Sequence, residues 1–148
     1  MTQLKAIRKF ANYVLEEKVT FAKKRMDNGN WGMDMAPWQK TPRLVLPSTF
    51  SVNNEEDKLF RKDFIKRCPL AKGFSNVTLA ILHECGHWMT RSAFDVIAWS
   101  KVMEDVDSMD DYVKSPYEML ATQWAICWLY CKENRKEAKK FEKRFFGY

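Results

Sequence analysis

The sequence predicts an α+β domain, mainly helical, with a small β-sheet and a central helix that carries the site. Three observations lead there. The N-terminal segment repeats apolar residues at helical spacing, a short apolar run is closed by proline, and the segment after Ser75 is apolar on nearly every face. At 148 residues the chain has material for one core, so a single domain over 1–148 is expected.

Residues 3–25 read as one amphipathic helix, because Leu4, Ile7, Phe10, Ala11, Val14, Leu15 and Val19 recur at three- and four-residue steps. Asp27-Asn28-Gly29-Asn30 has the turn chemistry to end it. Trp31, Pro37, Trp38 and Pro42 mark 31–42 as an ordered loop with aromatic anchors. Leu44-Val45-Leu46 forms a short strand that Pro47 closes. After a polar connection, Ser51 to Asp57, the pattern from Leu59 to Cys68 fits either a short helix or a strand, and Pro69 breaks it. Ser75 caps a helix running to about Thr90, buried because Val77, Leu79, Ala80, Ile81 and Leu82 surround its axis. Ala93 to Val106 is a further helical stretch. Ser115-Pro116 opens the last apolar helix, with residues 132–146 as its charged continuation into solvent.

Composition excludes several classes. An apolar content of 46%, with six tryptophans and ten phenylalanines, argues against a disordered chain. The first residues are charged throughout, with no apolar core of a secretory leader, and no run approaches the ~18 apolar residues of a membrane span. No membrane association and a cytoplasmic location are therefore expected. Cys68, Cys85, Cys127 and Cys131 lack C-x-x-C spacing and read as buried, reduced thiols. The net charge of +6 concentrates at the two ends, where it could attract nucleic acid or an acidic protein. Glu16, Glu17, Glu133, Glu137 and Glu142 interleave those basic residues at helical spacing, the pattern of a solvated helix face.

The chemistry concentrates in His83-Glu84-Cys85-Gly86-His87. Two histidines four apart on a helix project to one side and can ligate one ion, and Glu84 stands where a carboxylate can take a proton from water at that ion. These are the two histidines of the chain, and a helix otherwise apolar does not host such groups without partners. Gly86 costs about 1 kcal/mol of helix propensity against alanine, which points to another backbone packing close by. Cys85, about 200° round the helix from His83, points away from the ion. A catalytic zinc needs a third protein ligand. Glu118, opening the second apolar helix, is the best candidate, although Ser115-Pro116-Tyr117-Glu118 is also a capping box. Asp95, Glu104, Asp105, Asp107, Asp110 and Asp111 compete for the ligand role.

LAILHECGHWMT followed by SPYEMLATQWAICWL resembles the ImmA/IrrE metallopeptidases of bacteria and mobile elements. That family shows H-E-x-G-H and then E-x-x-A-x-x-F-A-x-x-L, into which Glu118, Ala121, Trp124, Ala125 and Trp128 fall, with tryptophan where phenylalanine and leucine are usual. The resemblance spans roughly residues 79–129. His87-Trp88-Met89-Thr90 is also similar to the H-W-T of the metallopeptidase domain of ArdC-type antirestriction proteins. Both resemblances imply a zincin-like, gluzincin-type fold and a phage- or mobile-element-borne protein. They imply Zn²⁺ held by His83, His87 and Glu118, and Glu84 as general base.

On that basis the expected function is an intracellular zinc metallopeptidase acting on a specific protein or peptide, with a regulator as the candidate substrate. The alternative is a zinc-binding antirestriction protein that blocks a host defence by binding. Tyr112, Tyr117 and Arg91 are the nearest candidates to stabilise an oxyanion. Arg43-Leu44-Val45-Leu46 is a candidate sheet edge for pairing with a peptide substrate.

Overall fold

The computed structural model describes residues 1–27, 29–50, 55–93, 101 and 103–147. The predicted helix Ala93 to Val106, and Asp95 with it, lies largely outside them. The architecture is α+β and mostly helical. Its elements are α1 (Gln3–Leu15), β1 (Thr20–Phe21), β2 (Gly32–Met33), β3 (Arg43–Val45), α2 (Glu55–Arg67), α3 (Asn76–Met89), α4 (Met109–Val113), α5 (Pro116–Leu129) and α6 (Lys132–Phe146). Short 3₁₀ turns follow α2 (Pro69–Gly73) and α3 (Arg91–Ala93). Among the described residues no helix is long and apolar enough to cross a membrane.

The first helix is shorter than its periodicity suggests. It ends at Leu15, where Glu16 turns into the left-handed region (φ 53°), and the Asn12 side chain accepts a hydrogen bond from the Val19 amide at 2.7 Å. This local turn releases Val19 from the helix and lets Thr20–Phe21 pair with the sheet, although Val19 stays buried as its apolar character requires.

The sheet order is β1-β3-β2, with β1 parallel and β2 antiparallel to β3. The strand Arg43–Val45 is therefore the central one and cannot serve as the edge for an incoming peptide. Both of its sides are used, by Ala22 donating to Leu44 and Asp34 donating to Arg43. Among the described residues, β2 is the edge strand on the side of α3. Gly32 faces Val45 and Met33 faces Leu44, and the Asp34-to-Arg43 bond fixes which pairs exchange hydrogen bonds. Alternation then leaves the Met33 N–H and C=O on the outer side. The predicted loop 31–42 thus contains a strand. Trp31 anchors it, 7% exposed, whereas Trp38 is 79% exposed and anchors nothing.

The segment Leu59 to Cys68 resolves as helix, α2, starting at Glu55. Helix α3 is buried as expected, with Ser75 accepting from the Thr78 amide as its cap. The last helical segment departs from the sequence reading. Instead of one helix continuing into solvent, α5 ends at Leu129, Cys131 is extended, and α6 folds back against α1. Phe10 and Phe141 stack at 4.6 Å across that contact. Asn134 and Arg135 donate to the Trp128 and Leu129 carbonyls, satisfying helix-end acceptors that would otherwise be orphaned. With the helix broken there, Cys127 and Cys131 are exposed, and only Cys68 and Cys85 have the expected burial.

Glu142 of α6 holds the start of α3. Its carboxylate accepts from the Ser75 amide and the Thr78 hydroxyl, each at 2.6 Å, and is itself buried. At the other end the Trp88 indole donates to Glu17 at 3.2 Å. The helix that bears the two histidines is thus fixed at both ends by side chains from remote segments.

Candidate metal centre

The site lies where α3 and α5 cross, and a glycine makes the approach possible. A Cβ on Gly86 would collide with the Ala121 carbonyl oxygen and sit 2.8 Å from its carbon. The helix-propensity loss at Gly86 therefore permits backbone contact between the two helices, as the sequence suggested. That contact brings His83 and His87 of α3 against Glu118 of α5, all three nearly buried.

His87 Nε2 stands 2.5 Å from Glu118 Oε2, and His83 Nε2 stands 3.7 Å from Glu118 Oε1. The capping role for Glu118 is overturned. Ser115 makes no side-chain cap bond, its amide donates to the Tyr112 carbonyl, and the Glu118 carboxylate turns inward. The competing acids Glu104, Asp105, Asp107, Asp110 and Asp111 are exposed and do not line the site.

His83 Nδ1 lies 2.8 Å from the buried Thr122 hydroxyl. With Nδ1–H donating to that oxygen, Nε2 keeps its lone pair towards the site. His83 also packs on Phe60 (4.5 Å between centroids), and His87 stacks on Tyr117 (4.4 Å, 28°). Both rings are thereby oriented. His83 Nε2, His87 Nδ1 and Glu118 Oε2 are nonetheless buried without a well-directed hydrogen bond among the described residues, the 2.5 Å contact at Glu118 being an ion-pair contact of poor angle. Buried polar atoms left in this state are costly unless something else satisfies them.

Electrostatics fit the same picture. Burial holds the His83 imidazole below its usual range, keeping it neutral as a ligand must be. Burial alone would raise the Glu118 carboxyl, but the adjoining imidazoles outweigh it and hold it below the usual carboxylate range. Desolvation, then the charges of Glu118, Glu56 and Asp57, push Glu84 well above it.

His83, Glu84 and His87 each present a ligand atom, all within 4.8 Å of one another, and this group could hold a metal ion. The imidazole and carboxylate donors suit a divalent first-row metal, and the orphaned Nε2 and Oε2 atoms are those such an ion would satisfy. Glu84 is partly exposed and opens onto a cleft of about 800 Å³ shared with His87, Glu118, Tyr112, Tyr117 and Arg91. All three oxyanion candidates therefore line the same space. Burial raises both phenols above their ordinary range, so each stays a hydrogen-bond donor. Arg91 stacks on the Trp88 ring at 3.9 Å and donates to the Trp88 carbonyl, which fixes its guanidinium at the cleft wall.

Sequence reasoning missed two residues. Thr122 was detectable, since it follows Glu118 by one helical turn and so shares its face. Glu56 gave no signal. It lines the cleft from α2, its carboxylate accepts from Asn30 at 2.6 Å, and burial with the nearby Glu118 and Asp57 raises it to about 7. Glu56 also borders a small cavity of about 40 Å³ behind His83, between α2 and α3.

No protein family, no curated protein and no solved structure matches this chain.

Proposed function

We propose that this protein is a zinc-dependent peptidase of the zincin type, with His83, His87 and Glu118 as metal ligands and Glu84 as general base. One observation carries the reading. Two imidazoles and a carboxylate converge with buried atoms unsatisfied, and a second carboxylate faces the adjoining cleft. Three protein ligands of nitrogen and oxygen type, with a cleft beside them, are the arrangement of a catalytic rather than a structural zinc site.

Zinc supplies Lewis acidity at such a centre and brings the ionisation of water down to about pH 7. Glu84, partly exposed at the cleft, accepts a proton from the attacking water and delivers it to the leaving amine nitrogen. The raised affinity of its carboxyl for protons suits the second half of that task. Tyr112 and Tyr117 stay protonated and can donate to a developing oxyanion. Thr122 holds His83 in the ligating tautomer. The outward Met33 N–H and C=O on β2 offer an extended peptide a place to pair, the role that Arg43–Leu46 cannot fill.

Resemblance to the ImmA/IrrE and ArdC-type proteins supports the same reading and a phage or mobile-element origin, with action in the host cytoplasm on a specific protein. The binding-only alternative draws less support. On α6, Lys136 pairs with Glu133, Lys140 with Glu137 and Lys139 with Glu142, so these lysines have local counter-charges. The decisive variant is Glu84→Gln. It should retain metal and lose peptide cleavage, and a variant that still cuts would refute the assignment of the base.

A further inference from the structure

We propose that one face of β2, together with Trp88, forms a specificity wall that seats a bulky apolar side chain of an extended polypeptide beside Glu84. The inference deepens the peptidase reading and rests on it for the chemistry, though not for the binding.

Trp31, Met33 and Met35 follow one another at every second position. In extended chain such residues point to the same side, and all three line the cleft that Glu84 and His87 open onto. Gly32, between the first two, borders the cleft as well, and a Cβ on it would meet Val45 at 3.4 Å. Trp88 lines the same cleft from α3. Met35 is half-buried at the cleft, Trp31 and Met33 reach it from the core at 7% and 9% exposure, and Trp88, 1% exposed beneath Arg91, backs them. The flexible, polarisable thioether of Met35 lets that surface adapt to shape. The cleft, about 800 Å³, is large enough for several residues of a peptide.

The rest of the lining selects among occupants. Glu56, Glu84 and Glu118 set three carboxylates against the single guanidinium of Arg91 among the described lining residues. With a single guanidinium among the described lining residues, the cleft offers no cluster of cations to a phosphate-rich ligand. The apolar character also continues outward. Trp38 is 79% exposed and stands between Pro37 and Gln39, both of which line the cleft. An aromatic so exposed at a rim suits a partner larger than the cleft, a segment of a protein rather than a small metabolite.

The test is capture of a proteome-derived peptide library by the zinc-loaded Glu84→Gln protein, followed by sequencing of what is retained. Leucine, methionine and phenylalanine should be enriched at one position by about tenfold over their library frequency, the scale on which apolar pockets discriminate. Met35→Arg, at a half-buried site, should replace that preference with aspartate or glutamate at the same position while metal content stays at the wild-type level. Trp38→Ala should weaken retention severalfold and leave the positional preference intact.

No enrichment, or an enrichment that Met35→Arg leaves unchanged, overturns the wall. If the native protein cleaves peptides without apolar preference, the wall fails and the peptidase stands. If Glu84→Gln captures apolar peptides that the native protein never cuts, the peptidase reading fails and the wall stands.

Discussion

The Thr122 hydroxyl stands 2.8 Å from His83 Nδ1, one helical turn beyond Glu118 on the same face of α5. A single helix thus brings both a carboxylate to the imidazole nitrogens and a hydroxyl to the far side of one ring. Replacing Thr122 by valine keeps the volume and removes the acceptor, leaving a buried N–H unpaired. The expected result is a metal affinity lower by roughly 10- to 100-fold with the fold intact. Competition with a chromogenic chelator measures this, and an unchanged affinity would remove Thr122 from the positioning of His83.

Gly86 gives the second prediction. Alanine would gain about 1 kcal/mol of helix propensity on α3. The added Cβ, however, meets the Ala121 backbone, which cannot swing aside as a side chain would. Overpacking of this kind costs ~1–3 kcal/mol, so Gly86→Ala should lower Tm by several degrees and reduce metal binding by moving Glu118. Gly73→Ala is the control, because a Cβ there has nothing within 4 Å. Equal melting temperatures for the two variants would contradict the helix contact.

A third prediction concerns pH. In the metal-free protein Glu56 has its carboxyl raised from 4.5 to about 7, by burial first and then by Glu118 and Asp57. Between those values the folded state binds a proton that the unfolded state has lost. Stability from this group is therefore greatest below the unfolded value and falls as pH rises towards 7. Buried His83 acts in the opposite sense below about pH 6.5, staying neutral while its unfolded counterpart charges. The Glu56 contribution is isolated by difference: Glu56→Gln should flatten the decline in Tm between pH 5 and 7. Parallel curves for the two proteins would show that Glu56 titrates normally.

Much of the site was legible because its signals are local. The four-residue spacing of His83 and His87 defines a helix face, Ser75 is a cap, and Gly86 marks a close approach whose partner proved to be Ala121. The role of Glu118 was not decidable locally, since a capping box and a ligand share one pattern; only the tertiary fold turns its carboxylate away from the cap and beside both imidazoles. The break at Tyr130–Cys131 left no glycine or proline to read. It is stabilised by Asn134 and Arg135 reaching back to helix-end carbonyls, and by Phe141 docking on Phe10. Glu56 enters from α2, distant in sequence, so no spacing rule could find it. The alternation Trp31, Met33, Met35 was present in the sequence, but two prolines and a short strand hid it inside an apparent loop.

The central claim is a metal held jointly by α3 and α5, and elemental analysis of the purified protein tests it most directly. Native protein should carry about one equivalent of zinc, and both His83→Ala and Glu118→Ala should lose it while remaining folded. Native protein that binds no metal would contradict the account, and so would a Glu118→Ala variant that keeps a full equivalent.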